Sequence, residues 1–374
     1  MAHGRITEAD VAALRARIGQ PVRRVTPPFY TEVNADAASR FAWAIGDDNP
    51  LYHDGGYAAG TRWGRQLAPP SILYSLENTV SGAVEGLPGV HAMFAGTDFR
   101  WKRPVEVGMK FHAESRLHDI VEHRTRFAGL AVQQIYRIRF FDQHDSEVAE
   151  ADSWCFRTER DTARTEGSKY EQRLKEPHRY SEDEIAVFQE QYLSESPRGA
   201  ETRYFEDVRE GDELGPILKG PYTVTAAVAF MQAWGNYAVR NHRQAWQYYD
   251  RHPKLAARNR NNVPEPPVRV HWDREFAQEV GVPGAYDFGP ERIAWLGHLV
   301  TDWMGDDGFL KRLNVQVRGH NVVGDATWCR GEAVKTGIVD GEGQVECSIR
   351  CVNQHGRTSA LGSATVVLPR KSTR

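Results

Sequence analysis

The chain has 374 residues, with 47 Lys plus Arg against 50 Asp plus Glu and a net charge of −3. That balance, with no basic tail or arginine-rich block, argues against a protein built to bind a polyanion such as nucleic acid. At 40% hydrophobic and 26% charged residues, the composition is that of a folded protein of one to three domains.

In chain order, residues 1–28 predict a lead-in with one helix, capped by Thr7 and packed through Val11, Leu14 and Ile18. Its opening, MAHGRITEADVAALRARIG, carries charge where a signal peptide needs an apolar run, and nowhere do 18 apolar residues follow one another. The expectation is a cytoplasmic protein without a membrane span. Residues 29–158 predict a first unit: a short amphipathic helix ending at Gly46, a loop rich in Pro and Gly, and a long apolar helix from Ile72 to Val84. Strands follow at Phe99 to Trp101, Lys110 to Leu117, Leu130 to Phe141 and Val148 to Phe156, where β-branched and aromatic residues alternate with polar ones. Residues 159–203 form a charged linker with one helix, started by a capping box between Ser181 and Glu184. Residues 204–374 repeat the order, with a helix ending at Gly235, a long helix from Arg292 to Met304, and strands at Leu313 to Val317, Ala326 to Val334, Val345 to Val352 and Ala360 to Leu368. An insertion at about 241–267 interrupts this second unit. Helix followed by antiparallel strands, twice, is an α+β architecture.

The repetition is legible residue by residue. Phe41 to Gly46-Asp47 returns as Phe230 to Gly235-Asn236, and Asp54 with Tyr57-Ala58 returns as Asp273 with Phe276-Ala277. Val107-Gly108 parallels Val323-Gly324, and Asp142-Gln143-His144 parallels Asn353-Gln354-His355. Each match is short; their common order indicates duplication. The cysteines, Cys155, Cys329, Cys347 and Cys351, lack zinc-ligand company or a disulfide framework and read as free core thiols. No metal site is expected.

Gly46-Asp47-Asp48-Asn49-Pro50-Leu51, followed by Asp54 and Tyr57-Ala58, resembles the signature of the MaoC-like, (R)-specific enoyl-CoA hydratase family. In the second copy, Tyr204 to Gly211-Asp212 is similar to that family's opening strand, and His271-Trp-Asp273-Arg-Glu-Phe276-Ala277 to the histidine end of its motif. The resemblance implies a double hotdog, two fused units each with an antiparallel sheet around a long central helix, of the type with a FAS1-like dehydratase N-terminal unit. It implies an acyl-CoA substrate, with coenzyme A as substrate carrier and no other cofactor. A homodimer of double hotdogs is among the assemblies it allows.

Hydration of an enoyl thioester needs a base for water, an acid for the α-carbon and donors for the enolate oxygen. In the family an Asp and a His of the motif do the proton work, and neither copy here carries the full pair in register. The first keeps Asp47 and Asn49 but has Tyr52 in the histidine's place, with His53 one residue later. Either Asp48 and His53 form a slipped pair, or Asp47, Asn49 and Asp54 cap and turn a loop. The second keeps His271 and Asp273, has Asn236 for the Asp, and retains Gly289 at the start of its long helix, where a backbone amide can hold an oxyanion. His271 is therefore the first choice as acid/base group, with Asp250, Glu265 or Asp287 as candidate helpers. The catalytic candidates are His271, Asn236, Asp47 and His53; Gly289, Asp273 and Asn49 are candidates for oxyanion or substrate binding. Arg62, Arg65, Arg100, Lys102 and Arg103 are candidates for coenzyme A phosphates. Two further readings are an accessory subunit that binds acyl-CoA without turning it over, and a thioesterase on the same fold.

Overall fold

The computed structural model describes residues 5–22, 27–82, 86–87, 90–125, 129–159, 178–235 and 239–371. Helix α1 (Glu8–Arg15) starts at Thr7, whose hydroxyl accepts from Asp10 N while the Asp10 carboxylate accepts from Thr7 N. Val11 and Leu14 are buried, but the helix stops before Ile18, which is 37% exposed.

The first unit holds α2 (Ala35–Ile45), α3 (Pro50–His53), α4 (Gly55–Ala59), α5 (Leu73–Leu76) and strands β1 (His91–Trp101), β2 (His112–Thr125), β3 (Gly129–Phe141) and β4 (Glu147–Thr158). The linker carries α6 (Glu182–Ser194), begun by the expected Ser181 and Glu184 capping box; its residues 160–177 lie outside the described residues. The second unit runs β5 (Glu213–Lys219), α7 (Val224–Trp234), α8 (His242–Arg251), β6 (Ala257–Arg258), β7 (Pro264–Glu265), α9 (Arg274–Glu279), α10 (Gly289–Met304), β8 (Phe309–Val317), β9 (Thr327–Val339), β10 (Glu342–Asn353) and β11 (Thr358–Leu368).

Nine strands form one antiparallel sheet in the order β2-β3-β4-β1-β8-β11-β10-β9-β5. The units meet where β1 pairs with β8, from Gly96 opposite Gln316 to Arg100 opposite Arg312. Arg312 donates to both oxygens of Asp98 across this seam, each at 2.8 Å. On the helical side α2 lies against α7, with the Phe41 and Phe230 rings edge to face at 6.2 Å. This is the double hotdog that the resemblance implies.

The duplication reaches individual caps. Asn34 and Thr223 cap α2 and α7, Gly46 and Gly235 end them in the left-handed region, and Asp54 and Asp273 cap α4 and α9. Asp142 Oδ1 accepts from His144 N and Ser146 N, and Asn353 Oδ1 accepts from His355 N and Arg357 N, so both hairpins turn on the same side-chain device.

Two elements depart from expectation. The first unit's long helix does not form over the described part of Ile72 to Val84. A 3-10 turn at Pro70–Ile72, the short α5 and a second 3-10 turn at Asn78–Ser81 replace it. Glu77 interrupts it: its backbone is extended (φ −152°, ψ 120°) and its carboxylate accepts from Thr79 N and Oγ1, a local alternative to helical bonding. Only the second unit has the unbroken central helix, α10, buried at every position but Gly289 and Asp302. The segment Tyr204 to Asp212 is likewise not a strand. Phe205–Asp207 is a 3-10 turn, Arg209 N donates to Asp212, and the strand begins afterwards, at Glu213. The four cysteines are free and buried, with Cys329 Sγ and Cys351 Sγ 3.7 Å apart across β9 and β10. Among the described residues no helix is long and apolar enough to cross a membrane.

Candidate functional site

The first-unit motif follows α2, where left-handed Gly46 turns the chain into the Asp47 to Asn49 loop. Asp47 is 3% exposed, and its carboxylate accepts from Asn49 N at 3.1 Å. Across the unit boundary, His298 of α10 brings Nε2 to 3.8 Å from Asp47 Oδ1. His298 Nδ1 accepts from Lys219 Nζ at 2.8 Å, and the same ammonium donates to Ile45 O at 2.6 Å. Burial pushes Asp47 up to about 7, against the pull of Lys219, and holds His298 well below its ordinary value.

The rest of this motif grips the far end of α10. Asn49 Nδ2 donates to Asp306 Oδ1 at 2.9 Å, Tyr57 OH donates to Asp306 Oδ2, and Trp63 Nε1 donates to Asp306 O at 2.7 Å. Tyr52, in the histidine's place, is buried with its hydroxyl bonded to Thr301, and burial raises its pKa well above the ordinary phenol range. His53 points elsewhere: Nε2 donates to Asp47 O at 2.8 Å and the ring stacks on Trp43 at 5.4 Å. Asp48 is exposed, and no contact joins it to His53 among the described residues. Between the motif and the end of α10 lies a cavity of about 30 Å³, lined by Tyr52, Trp101, Thr301 and Asp306 among others. That volume holds a water or two, not an acyl chain.

The second-unit motif is split by the insertion, and Asn236 lies outside the described residues. His271 ends a 3-10 turn, Pro267–His271, and its Nδ1 is 2.8 Å from Tyr286 O. A carbonyl cannot donate, so Nδ1 carries the proton and Nε2 the lone pair. The ring is part-buried, lies over Phe288 at 3.9 Å and meets Tyr286 at 4.6 Å. Burial holds its pKa down at about 4, which keeps it neutral near pH 7.

Phe288 caps α10, so His271 sits at the N-terminus of that helix. Gly289 is its first residue, and its amide belongs to the first turn, where no intrahelical carbonyl is in reach. Phe94 of the first unit closes over this position; a Cβ on Gly289 would come within 2.3 Å of Phe94 Cδ1. Asp273 is engaged locally: Oδ1 accepts from Phe276 N as the α9 cap, and Oδ2 accepts from buried Arg269 at 3.1 Å. Neither oxygen is directed at His271 by these contacts.

The candidate helper carboxylates are also engaged or distant. Asp287 is fully buried and bonded to Arg292 and Asn321, and Glu265 pairs with Arg269 at 3.0 Å. Asp250 is exposed on α8. Asp47 faces His298, ten residues along α10 from Phe288, a separation of roughly 15 Å at the helical rise. The structure thus keeps Asp47 and His271 apart, and rings of Phe288 and Tyr286 flank the histidine. Of the proposed phosphate contacts, Arg65, Arg100, Lys102 and Arg103 pair with Glu106, Asp98, Glu147 and Asp142. Arg62 donates to Asp307 O at 2.7 Å. Lys219, His298, Thr301 and Asp306 escaped the sequence reading as partners of the first motif, because they lie more than 170 residues away in the other copy. The one local signal was a histidine in the apolar run from Ile293 to Val300.

Residues 18–151 match the family model described as FAS1-like, dehydratase domain region. A UPF0336 protein of Streptomyces avermitilis is 28% identical over 100 residues, 25% of this chain and 65% of that relative's length. Among solved structures, a MaoC-like dehydratase is similar at TM-score 0.66 and 17% identity, over 96% of this chain and 100% of that one. A putative MaoC domain dehydratase from Chloroflexus aurantiacus follows at 0.58 and 12%, over 95% and 96%. A conserved hypothetical protein of Mycobacterium tuberculosis with a double hotdog fold is similar at 0.52 and 11%, over 92% and 96%. At these identities the structural likeness shows the fold.

Proposed function

We propose, from the premise that this chain is a double hotdog whose first unit matches the FAS1-like dehydratase region, that it hydrates enoyl thioesters or dehydrates 3-hydroxyacyl thioesters at His271. The observation that carries this is the tautomer: with Nδ1 donating to Tyr286 O, His271 presents a basic Nε2 beside the N-terminus of α10. In the hydration direction Nε2 takes a proton from water as the water oxygen bonds to the β-carbon. The double-bond electrons move onto the thioester carbonyl, whose oxygen is stabilised by Gly289 N–H and the positive end of α10. The imidazolium then returns the proton to the α-carbon as the enolate collapses, so one histidine closes the cycle and one water is added. A histidine with a low pKa is a weak base but a strong conjugate acid, suited to protonating carbon. Asn236 is assigned the task of orienting the water through its amide, and coenzyme A that of carrying the acyl group.

The test is loss of enoyl-thioester absorbance with a panel of 2-enoyl-CoA substrates. His271→Ala is expected to lower kcat/KM by about 10²- to 10⁴-fold, the usual worth of a general acid/base. Wild-type protein that turns over no member of the panel in either direction refutes the reading. The accessory reading, a double hotdog that binds acyl-CoA without chemistry, is favoured by one observation: no carboxylate pairs with His271 among the described residues. Acyl-CoA binding without turnover, unchanged in His271→Ala, would establish it.

A further inference from the structure

The insertion differs from the rest of the chain in charge. Residues 241–267 hold five Arg or Lys (Arg243, Arg251, Lys254, Arg258, Arg260) against two acidic residues, Asp250 and Glu265, in a protein of net charge −3. A segment at +3 within an acidic chain is a local positive field, the condition for attracting a polyanionic small molecule that the whole molecule would repel. Arg243 and Arg251 are exposed and pair with no carboxylate among the described residues. Arg258 donates to Asn262 O at 2.8 Å, which shapes the hairpin without neutralising the charge. Arg260 reaches Glu275 only at 4.0 Å, with 79% of its side chain exposed.

The same segment exposes an aromatic surface. Helix α8 buries Ala245 and Tyr249 and leaves Trp246 60% exposed, three residues and thus one turn from Arg243 on the outer face. Tyr248 carries the Arg240 guanidinium over its ring at 4.2 Å and the His252 ring at 4.8 Å. An uncovered indole one turn from the exposed Arg243 guanidinium offers a flat π face and charge-assisted donors together, and Arg251, whose Nε donates to Gln247 O at 3.1 Å, adds its charge on the same helix. The insertion is also tied to the candidate site: Arg269, two residues before His271, donates to Arg258 O at 3.0 Å and pairs with Glu265.

We infer that the insertion binds the adenosine 3′,5′-bisphosphate end of a coenzyme A thioester, with Trp246 stacking on the base and Arg243 and Arg251 contacting phosphate. This rests on the proposed function for the identity of the substrate, but not for the binding itself. As the phosphate contacts it also replaces the first-unit basic residues, four of which pair with carboxylates while Arg62 donates to Asp307 O.

The experiment titrates adenosine 3′,5′-bisphosphate into the full chain and into Arg243→Glu, Arg251→Glu and Trp246→Ala, at low and at physiological salt. In parallel it measures KM for an enoyl-CoA and for the same enoyl group on pantetheine. Wild type is expected to bind the nucleotide, more weakly as salt rises, and each exposed-site variant to weaken it at least about 10-fold. The variants are expected to raise KM for the CoA thioester while leaving kcat and the pantetheine KM unchanged. Equal nucleotide affinity in wild type and all three variants, or displacement of nothing by nucleotide while an acyl carrier protein protects the insertion, overturns the inference. Nucleotide binding lost in the variants of a protein that turns over no thioester would leave this inference standing and remove the hydratase reading. Turnover that depends on His271 with variant-insensitive nucleotide binding would do the reverse.

Discussion

Two histidines with lowered pKa values and one raised carboxyl divide between two chemistries. His271 lies at a helix N-terminus with Nδ1 bonded to Tyr286 O, whereas His298 and Asp47 are closed inside the boundary between units. The Asp47 carboxyl is raised from its ordinary value to about 7, so the folded state binds its proton more tightly than the unfolded state does. Between about pH 4 and pH 7 that carboxyl makes stability fall as pH rises. Asp47→Asn, which keeps an oxygen for Asn49 N, is therefore expected to stabilise the protein at pH 8 by about 1–3 kcal/mol. The gain should shrink with decreasing pH and vanish near pH 4, read from denaturant midpoints across that range. Loss of stability at pH 8 would show that the pairing with Lys219 and His298 outweighs burial.

Helix α10 serves both halves of the protein at once. Its first turn lies beside His271, and its last turn is held by Asn49, Tyr57 and Trp63 through Asp306. The first-unit motif has thus become a clasp on the second unit's central helix. Asp306→Ala would leave Asn49 Nδ2 and Tyr57 OH without acceptors in a mostly closed site. The expected loss is about 2–3 kcal/mol, at the upper end for a buried donor left unsatisfied, measured by urea unfolding. A change below 0.5 kcal/mol, the range of ordinary surface substitutions, would show that water replaces the carboxylate and that the clasp is weak.

Across the whole molecule, the β1 and β8 seam, the α2 and α7 packing and the Asp306 clasp join the units. These contacts are polar and apolar, and they span both faces of the junction. Urea unfolding followed by far-ultraviolet circular dichroism and by tryptophan fluorescence is therefore expected to give superimposable single transitions. Two separated transitions would show that the units fold independently and merely touch.

Local chemistry settled what the sequence by itself determined. Duplication, the helix starts at Thr7 and Ser181, the glycine ends of α2 and α7 and the strands β1 to β4 and β8 to β11 are set by periodicity, capping and turn residues within a few positions. The unbroken helix after Phe288 was equally legible. The broken one after Pro70 was not, because its interruption depends on the Glu77 side chain choosing Thr79 over continued helix. Tertiary structure alone decided which motif faces what. Asp47 and Asn49 carry the family's local pattern, yet their partners, His298 and Asp306, come from the other copy, and only the packing of the two units brings them together. For His271, sequence supplied the residue, while the fold supplied the Tyr286 carbonyl that fixes its proton and the helix end that gives its lone pair a use.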